Sequence, residues 1–530
     1  YRFSTPHGIA LCRQILVSIL PFCPHDYQLS GIATILDGHD LLAVSATGSG
    51  KTAYTYMTLH IIKAIQSNPG LCPNIKFPIN AAILVVSPTT ALEEDQEAKF
   101  RNFGITAQAI NSVTKEEAEK KDVNIWKHVE TEIDVILVSP EMITSPGFGY
   151  LVNSKVFSDR LYAICFDEVH LLNSWGVSFR PDFQQIAYLR KRFIRNVILY
   201  GTTATLRLGL PTNTILNFLG FSGENYVLQR RSNARYDVKL IVRTLEATQS
   251  SEKFPQLDGI LKASGKILIF CPTIRYGFKL AVYLWHLDPR SALLHGNIRL
   301  FNSLNSSDYN QATISLLAGN IHSKITIATD KLSVGVDIPD FQTVIIIDPK
   351  NMDDMIQKGG RVGRDRTKVQ NAQVIVYFPR EAVKSATEVI HALDHPTALV
   401  NEDILSLQRF IVAPCKPAEV DRQYGNRKDD PPCSSMCLTC ASLPPAMLSA
   451  EECICSGCLP EPAILPAPKP PRARQHATNL RVTKPMRELG IKLLQDFRDE
   501  VYFSADERTT GMVPIDSFLP EKTMHTILDN

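Results

Sequence analysis

The run SATGSGKT at 45–52 lies between an apolar stretch, LLAVSA, and a helix-compatible one, AYTYMTLHII. Strand, glycine loop and helix in direct succession is the context a phosphate-binding loop requires. Thr47, Gly48, Ser49 and Gly50 form the loop, whose glycines let backbone N–H groups close around a β-phosphate. Lys51 can reach the β- and γ-phosphates, and Thr52 can offer its hydroxyl to Mg²⁺. The strict pattern has glycine five residues before Gly50, where this chain has Ser45. A small residue is tolerable where the backbone passes close to phosphate.

Short β-branched runs alternate with helical stretches over most of the chain. Strands are expected at 41–46, 82–87, 133–139, 161–166 and 197–201. A second series is expected at 266–270, 291–295, 324–329, 343–348 and 373–378. Continuous apolar runs separated by helices predict parallel sheets buried on both faces. The expected fold is therefore two tandem doubly wound α/β domains, at 1–228 and 229–400. The Cys-rich segment 401–460 reads as a small module. Residues 461–530 read as a Pro-rich linker and a helical tail at 483–501.

With 56 basic and 54 acidic residues the net charge is +2, so any polyanion site must be local. No apolar run reaches the roughly 18 residues of a membrane span. Five cysteines are scattered over the first 400 residues and seven lie between 415 and 458. The first set reads as reduced thiols and the second as a metal site.

Two further clusters carry chemistry. CFDEVH at 165–170 ends an apolar strand, where parallel sheets bind their ligands. Asp167 can hold Mg²⁺, and Glu168 can polarise an attacking water. In QKGGRVGRD at 357–365, Arg361 and Arg364 are three residues apart and would share one face of a helical turn. Two arginines so placed can stabilise charge on a transferred phosphoryl group.

In order, SATGSGKT, SPTTALEEDQ (87–96), DEVH (167–170), TTAT (202–205), ATDKLSVGVDIP (328–339) and QKGGRVGR resemble the motifs of superfamily 2 helicases. NSWGVSFRP at 173–181 resembles the aromatic-rich loop of the RecQ family of DNA helicases. DYQLSGIATILDGHDLLAV, with Gln28 lying 23 residues before Lys51, resembles that family's adenine-recognition segment. The resemblance covers about 25–440. It implies two RecA-like lobes, ATP and Mg²⁺ as cofactors, DNA as partner (single-stranded and duplex junctions), 3′ to 5′ movement and a nuclear location.

Residue by residue, the resemblance assigns adenine reading to Gln28 and phosphate and metal binding to Lys51, Thr52 and Asp167. Glu168 becomes the base. His170, Thr203 and Thr205 link hydrolysis to closure. Gly335 and Asp337 line the nucleotide cleft, and Gln357, Arg361 and Arg364 complete it. Ser87, Pro88, the SPE segment at 139–141, Trp175, Phe179 and Arg180 are the expected DNA contacts, the aromatic rings serving as stacking platforms.

Departures from the family pattern are local. The aromatic loop carries Val177 and Ser178 where the family has His and Asp, which puts coupling between DNA and hydrolysis in doubt. His25 replaces an arginine near the adenine site. Cys415, Cys433, Cys437 and Cys440 match the family's zinc module in position, with one spacing a residue longer. Four thiolates suit tetrahedral Zn²⁺. The remaining Cys453, Cys455 and Cys458 could replace a ligand, belong to an incomplete second site, or be idle. Arg422, Arg427 and Lys428 are further candidate DNA contacts. The chain begins at Tyr1, and no winged-helix pattern is evident in the 72 residues after Cys458, so truncation is expected. Three alternatives stay open from sequence: a DExH-type RNA helicase, a DNA-binding ATPase that does not unwind, and a zinc-dependent interaction module with a vestigial motor.

Overall fold

The computed structural model describes residues 1–172, 188–193, 197–235, 237–246, 251–263, 265–288, 297–319, 324–332, 338, 340–365, 368–369, 371–392, 402–427, 453, 455–459, 483–505 and 514–529. The chain divides into two compact units. One comprises Tyr1–Asp237, Val334–Asp337 and Pro417–Met447, and the other Val238–Ser333, Ile338–Lys416 and Leu448–Asn530. The strand Tyr226–Arg230 crosses the domain boundary expected at 228 and belongs to the first sheet.

In the first unit, β1 (Asp40–Val44), β2 (Ala82–Val86), β3 (Ala107–Ile110), β4 (Val135–Val138), β5 (Leu161–Phe166), β6 (Ile198–Thr203) and β7 (Tyr226–Arg230) form one parallel sheet. Its order is β3-β4-β2-β5-β6-β1-β7. Every residue of β1, β2 and β4 is buried. Alternate residues enter two cores: Leu41, Ala43, Ile83 and Val85 one, Leu42, Val44, Leu84 and Val86 the other. Helices α1 (Pro6–Ile19), α2 (Asp26–Leu36) and α3 (Ala53–Ser67) contribute to the first core. Helix α4 (Thr90–Asn102) follows β2, and α5 (Ser112–Lys120) follows β3.

This order sets the functional segments side by side. Along one edge of the sheet come the ends of β4 (Ser139–Glu141), β2 (Ser87, Pro88), β5 (Asp167, Glu168), β6 (Thr203) and β1 (the glycine loop).

The second unit repeats the plan. Strands β8 (Lys239–Leu245), β9 (Lys266–Phe270), β10 (Ile298–Phe301), β11 (Ile325–Ala328), β12 (Phe341–Ile347) and β13 (Gln373–Pro379) form a parallel sheet of order β10-β11-β9-β12-β13-β8. The strand expected at 291–295 lies outside the described residues. The four strands absent from the sequence expectation, β3, β7, β8 and β10, are the four sheet edges. An edge strand faces neighbours on one side only, so its sequence loses the uninterrupted apolar run. In β10 the run is broken by Arg299, which is buried nonetheless, donating to Thr313 Oγ1 (2.8 Å) and stacking 4.0 Å from the Tyr309 ring. The helix expected at 483–501 spans Lys484–Ser504.

Arg160, at the foot of β5, is buried and donates to three backbone carbonyls: Asn80 (2.8 Å), Val129 (3.1 Å) and Ile133 (2.6 Å). It closes the end of the sheet opposite the functional edge. Arg160→Met would leave two buried carbonyls and one part-buried carbonyl without their charged donor. The expected loss is about 3 kcal/mol, read from denaturant unfolding against the parent chain.

Candidate active site

The glycine loop leaves β1 with Gly48 and Gly50 both at φ +80°, a region open to glycine at little cost. A side chain at 50 would also collide with Gln28, whose Nε2 lies 2.7 Å from where a Cβ would sit. Ser45 makes use of its hydroxyl, which lies 2.7 Å from Ser49 Oγ across the loop, and its N–H donates to Thr203 O (3.0 Å). Lys51 folds over the loop, donating to Ser45 O (3.4 Å) and Ala46 O (3.3 Å). Thr47 and Ser49 are half-buried, and Thr52 sits at the start of α3.

Gln28 is buried on α2. Its Oε1 accepts from His25 N (2.9 Å), and its Nε2 donates to Ser49 O (3.4 Å) and Gly50 O (3.2 Å). The neighbouring Tyr27 also donates to Ser49 O. Its ring lies between His25, stacked at 5.2 Å, and the Arg231 guanidinium at 4.7 Å. Burial, with the Arg231 charge added, pushes the His25 imidazole below its ordinary value. Arg231 was not legible as a site residue, because it arrives from the far end of β7.

At the end of β5, Asp167 Oδ1 accepts from Thr202 Oγ1 (2.6 Å) and from Glu168 N (2.9 Å), while Oδ2 accepts from Gln96 Nε2. Burial, then the neighbouring Glu168 charge, raises the Asp167 carboxyl above its usual range. A bound cation would offset both effects, so this carboxylate fits a divalent metal. Glu168 has φ +47°, the left-handed region, and this turn points its carboxylate back to His170 (3.3 Å). His170 Nδ1 is 2.8 Å from Thr203 Oγ1, which is also bonded to Thr205 N and O. His170, Thr203 and Thr205 are thus brought together beside Glu168. A hollow of about 250 Å³, open solvent included, is lined by Pro88, Pro140, Asp167, Glu168 and Leu172 among others.

Ser87 and Pro88 are both buried, so the surface at this strand end is made by the half-buried Thr89 and Thr90. Trp175, Phe179 and Arg180, with Val177 and Ser178, lie outside the described residues, as do Gly335 and Asp337.

In the second unit the helix Met352–Gly359 ends before the arginines. Arg361 and Arg364 therefore sit in the turns that follow it, not on a helical face, and Gly363 between them takes φ +48°. Gln357 and Arg361 are buried, and Arg364 Nε donates to Gly360 O (3.3 Å). Lys358, also buried, pairs with Asp330 (2.9 Å) and Asp354 (2.8 Å). Burial alone would pull this ammonium down, but the two carboxylates outweigh it and raise it. The triad ties the turn Asp330–Leu332 to the helix that precedes the arginines.

Residues 25–210 match the DEAD/DEAH box helicase family, and 252–366 match the helicase conserved C-terminal domain. The chain is 24% identical over 430 residues to ATP-dependent DNA helicase Q1 of Rattus norvegicus, covering 78% of this chain and 62% of the relative. It is 26% identical over 340 residues to the probable ATP-dependent DNA helicase RecS of Bacillus subtilis (strain 168), covering 63% of this chain and 60% of that one. Over most of its length the chain is similar to RecQ-type helicases. In fold it is similar to Mycobacterium smegmatis helicase Lhr, solved with single-stranded DNA and AMP-PNP, with a TM-score of 0.52, 19% identity, and coverage of 78% of this chain and 55% of that one. The chain spans less than two thirds of the length of either relative.

Its cysteine cluster differs from the set expected from sequence. Cys415 is brought together with Cys453, Cys455 and Cys458, all four sulfurs lying within 4.8 Å of one another. Cys433, Cys437 and Cys440 lie outside the described residues. The Cys415 and Cys453 sulfurs are 3.8 Å apart. A tetrahedral ion with metal–sulfur bonds near 2.3 Å places its ligands about 3.8 Å apart. Burial works against a thiolate at Cys455, but the backbone N–H groups of Cys458, Lys416 and Gly457 outweigh it and bring the thiol down to about 7. Both runs carry a Cys-x-x-Cys pair, so spacing alone does not choose between them.

Glu93 of α4 is fully buried, and its Oε2 accepts from Asn111 Nδ2 (2.8 Å). Burial pushes its carboxyl up to about 8, against that hydrogen bond and with the charges of Glu141, Glu94 and Glu97. The folded chain therefore keeps a proton that the unfolded chain releases near the ordinary carboxylate value. Stability from this group is full at low pH and declines as pH rises toward 8. Glu93→Gln is expected to remove the decline. Relative to the parent, it should gain at least about 1 kcal/mol between pH 5 and pH 8 in denaturant unfolding.

Proposed function

We propose that this chain is the motor of an ATP-dependent DNA helicase that moves 3′ to 5′. One observation carries the reading: the glycine loop, the Asp167–Glu168 pair and Thr203 sit on three adjacent strand ends, beside the Pro88 and Pro140 ends. Gln28 selects adenine, and the loop amides with Lys51 hold the phosphates. Thr52 and Asp167 hold Mg²⁺, which neutralises phosphate charge. Glu168 accepts the proton of a water whose oxygen attacks the γ-phosphorus, and the bond to the β–γ bridging oxygen breaks as ADP leaves. Arg361 and Arg364 stabilise the charge on the transferred group, with Gln357 beside them. His170, Thr203 and Thr205 relay the change to the rest of the lobe.

DNA is the proposed partner and the nucleus the proposed location. No helix among the described residues is long and apolar enough to cross a membrane. Cys415, Cys453, Cys455 and Cys458 are the proposed zinc ligands. Zinc there would hold the segments around 415 and 453–458 together, a structural role.

ATP hydrolysis measured with and without single-stranded DNA tests the motor. At least a tenfold stimulation is expected, and Lys51→Ala should lose about 100-fold or more in kcat. Stimulation by RNA alone would reassign the substrate, and none by either would end the motor reading. For the metal, purified protein should carry about one zinc per chain, lost in Cys455→Ser. A zinc-free native protein would remove the site.

A further inference from the structure

Helix α4 is the element between the two halves of the proposed machinery. It is capped by Thr89, whose hydroxyl accepts from Leu92 N, directly after the β2 end. Its buried face is Glu93, Gln96 and Phe100, spaced three and four residues apart. Phe100 anchors in the apolar core and Glu93 is held by Asn111. Gln96 reaches across to Asp167.

The Gln96 contact is specific. Gln96 is 3% exposed, and its Oε1 finds no hydrogen-bond partner among the described residues. Burying half an amide unsatisfied costs stability, so the side chain's placement rests on its one donated bond, from Nε2 to Asp167 Oδ2. The three donors to Asp167 come from three places: Thr202 on β6, the Glu168 backbone in the same turn, and Gln96 on α4. Of these, only α4 begins at the strand end that faces the proposed nucleic-acid track.

We infer that Gln96 is a positioning residue through which nucleic acid at Thr89 and Thr90 sets the orientation of the Asp167 carboxylate. The inference rests on the proposed motor function. A shift of α4 by slightly more than about an ångström would stretch this hydrogen bond beyond useful length and release Oδ2. Occupancy of the track thereby reaches the hydrolytic site through a single helix. This path does not pass through the aromatic loop, where Val177 and Ser178 depart from the family pattern.

The test compares Gln96→Met, which keeps the length and removes the donor, with Thr202→Val, which removes a donor unconnected to the track. In Gln96→Met the ratio of DNA-stimulated to basal ATPase should fall at least tenfold, with KM for ATP within threefold of the parent. In Thr202→Val both rates should fall together and the ratio should hold. A second readout is binding: in the parent, Mg²⁺ with a non-hydrolysable ATP analogue should tighten single-stranded DNA binding, since coupling is reciprocal. That tightening should vanish in Gln96→Met, while DNA affinity without nucleotide stays within threefold. Gln96→Glu serves the same purpose if the Met variant melts early. A parent-like stimulation ratio in the Gln96 variants, or equal losses in both rates, would overturn the inference. A parent stimulated by no nucleic acid would overturn the motor reading and this one with it.

Discussion

Both sheets are wholly parallel and, at their centres, buried on both faces. That burial leaves no room for polar chemistry along the strands. Charged and hydrogen-bonding groups can emerge only where strands end, and parallel pairing puts those ends on one edge. Hence segments separated by more than a hundred residues, such as the glycine loop and Asp167, become neighbours with no contact of their own needed to bring them together. The hydrophobic effect that stabilises the sheet also sorts the active groups into a row.

The same fact explains what could be read from sequence. Central strands announce themselves as unbroken apolar runs, and β1, β2, β4, β5, β9 and β12 fall where such runs lie. Edge strands such as β3 and β8 mix polar residues into the run and were missed. The site follows a similar division. Lys51, Asp167, Glu168 and His170 sit in short segments whose local pattern carries their chemistry. Gln96, Thr202, Arg231 and Lys358 act through partners distant in sequence, and nothing in their own surroundings names those partners. The cysteine cluster is an intermediate case, in which composition located the module but spacing did not identify the ligands.

The second unit shows how charge can be buried without disorder. Lys358 is 4% exposed, yet its ammonium meets two carboxylates and lies 5.5 Å from the centre of the Phe270 ring. Removing one partner from such a set leaves an uncompensated charge, so the three residues hold or fail together. Their common effect is to fix the helix that ends just before Arg361.

Glu168 stands in a backbone conformation that suits glycine or asparagine better than glutamate. The turn gains geometry from this and loses about 1 kcal/mol of intrinsic preference. Position 168 is therefore one where folding and chemistry pull in opposite directions. A laboratory selection for heat resistance alone would drift toward Gly or Asn there, and would discard the proposed base in doing so. Consensus-style stabilisation of this lobe should leave that residue untouched, because its awkward backbone is part of what aims the carboxylate.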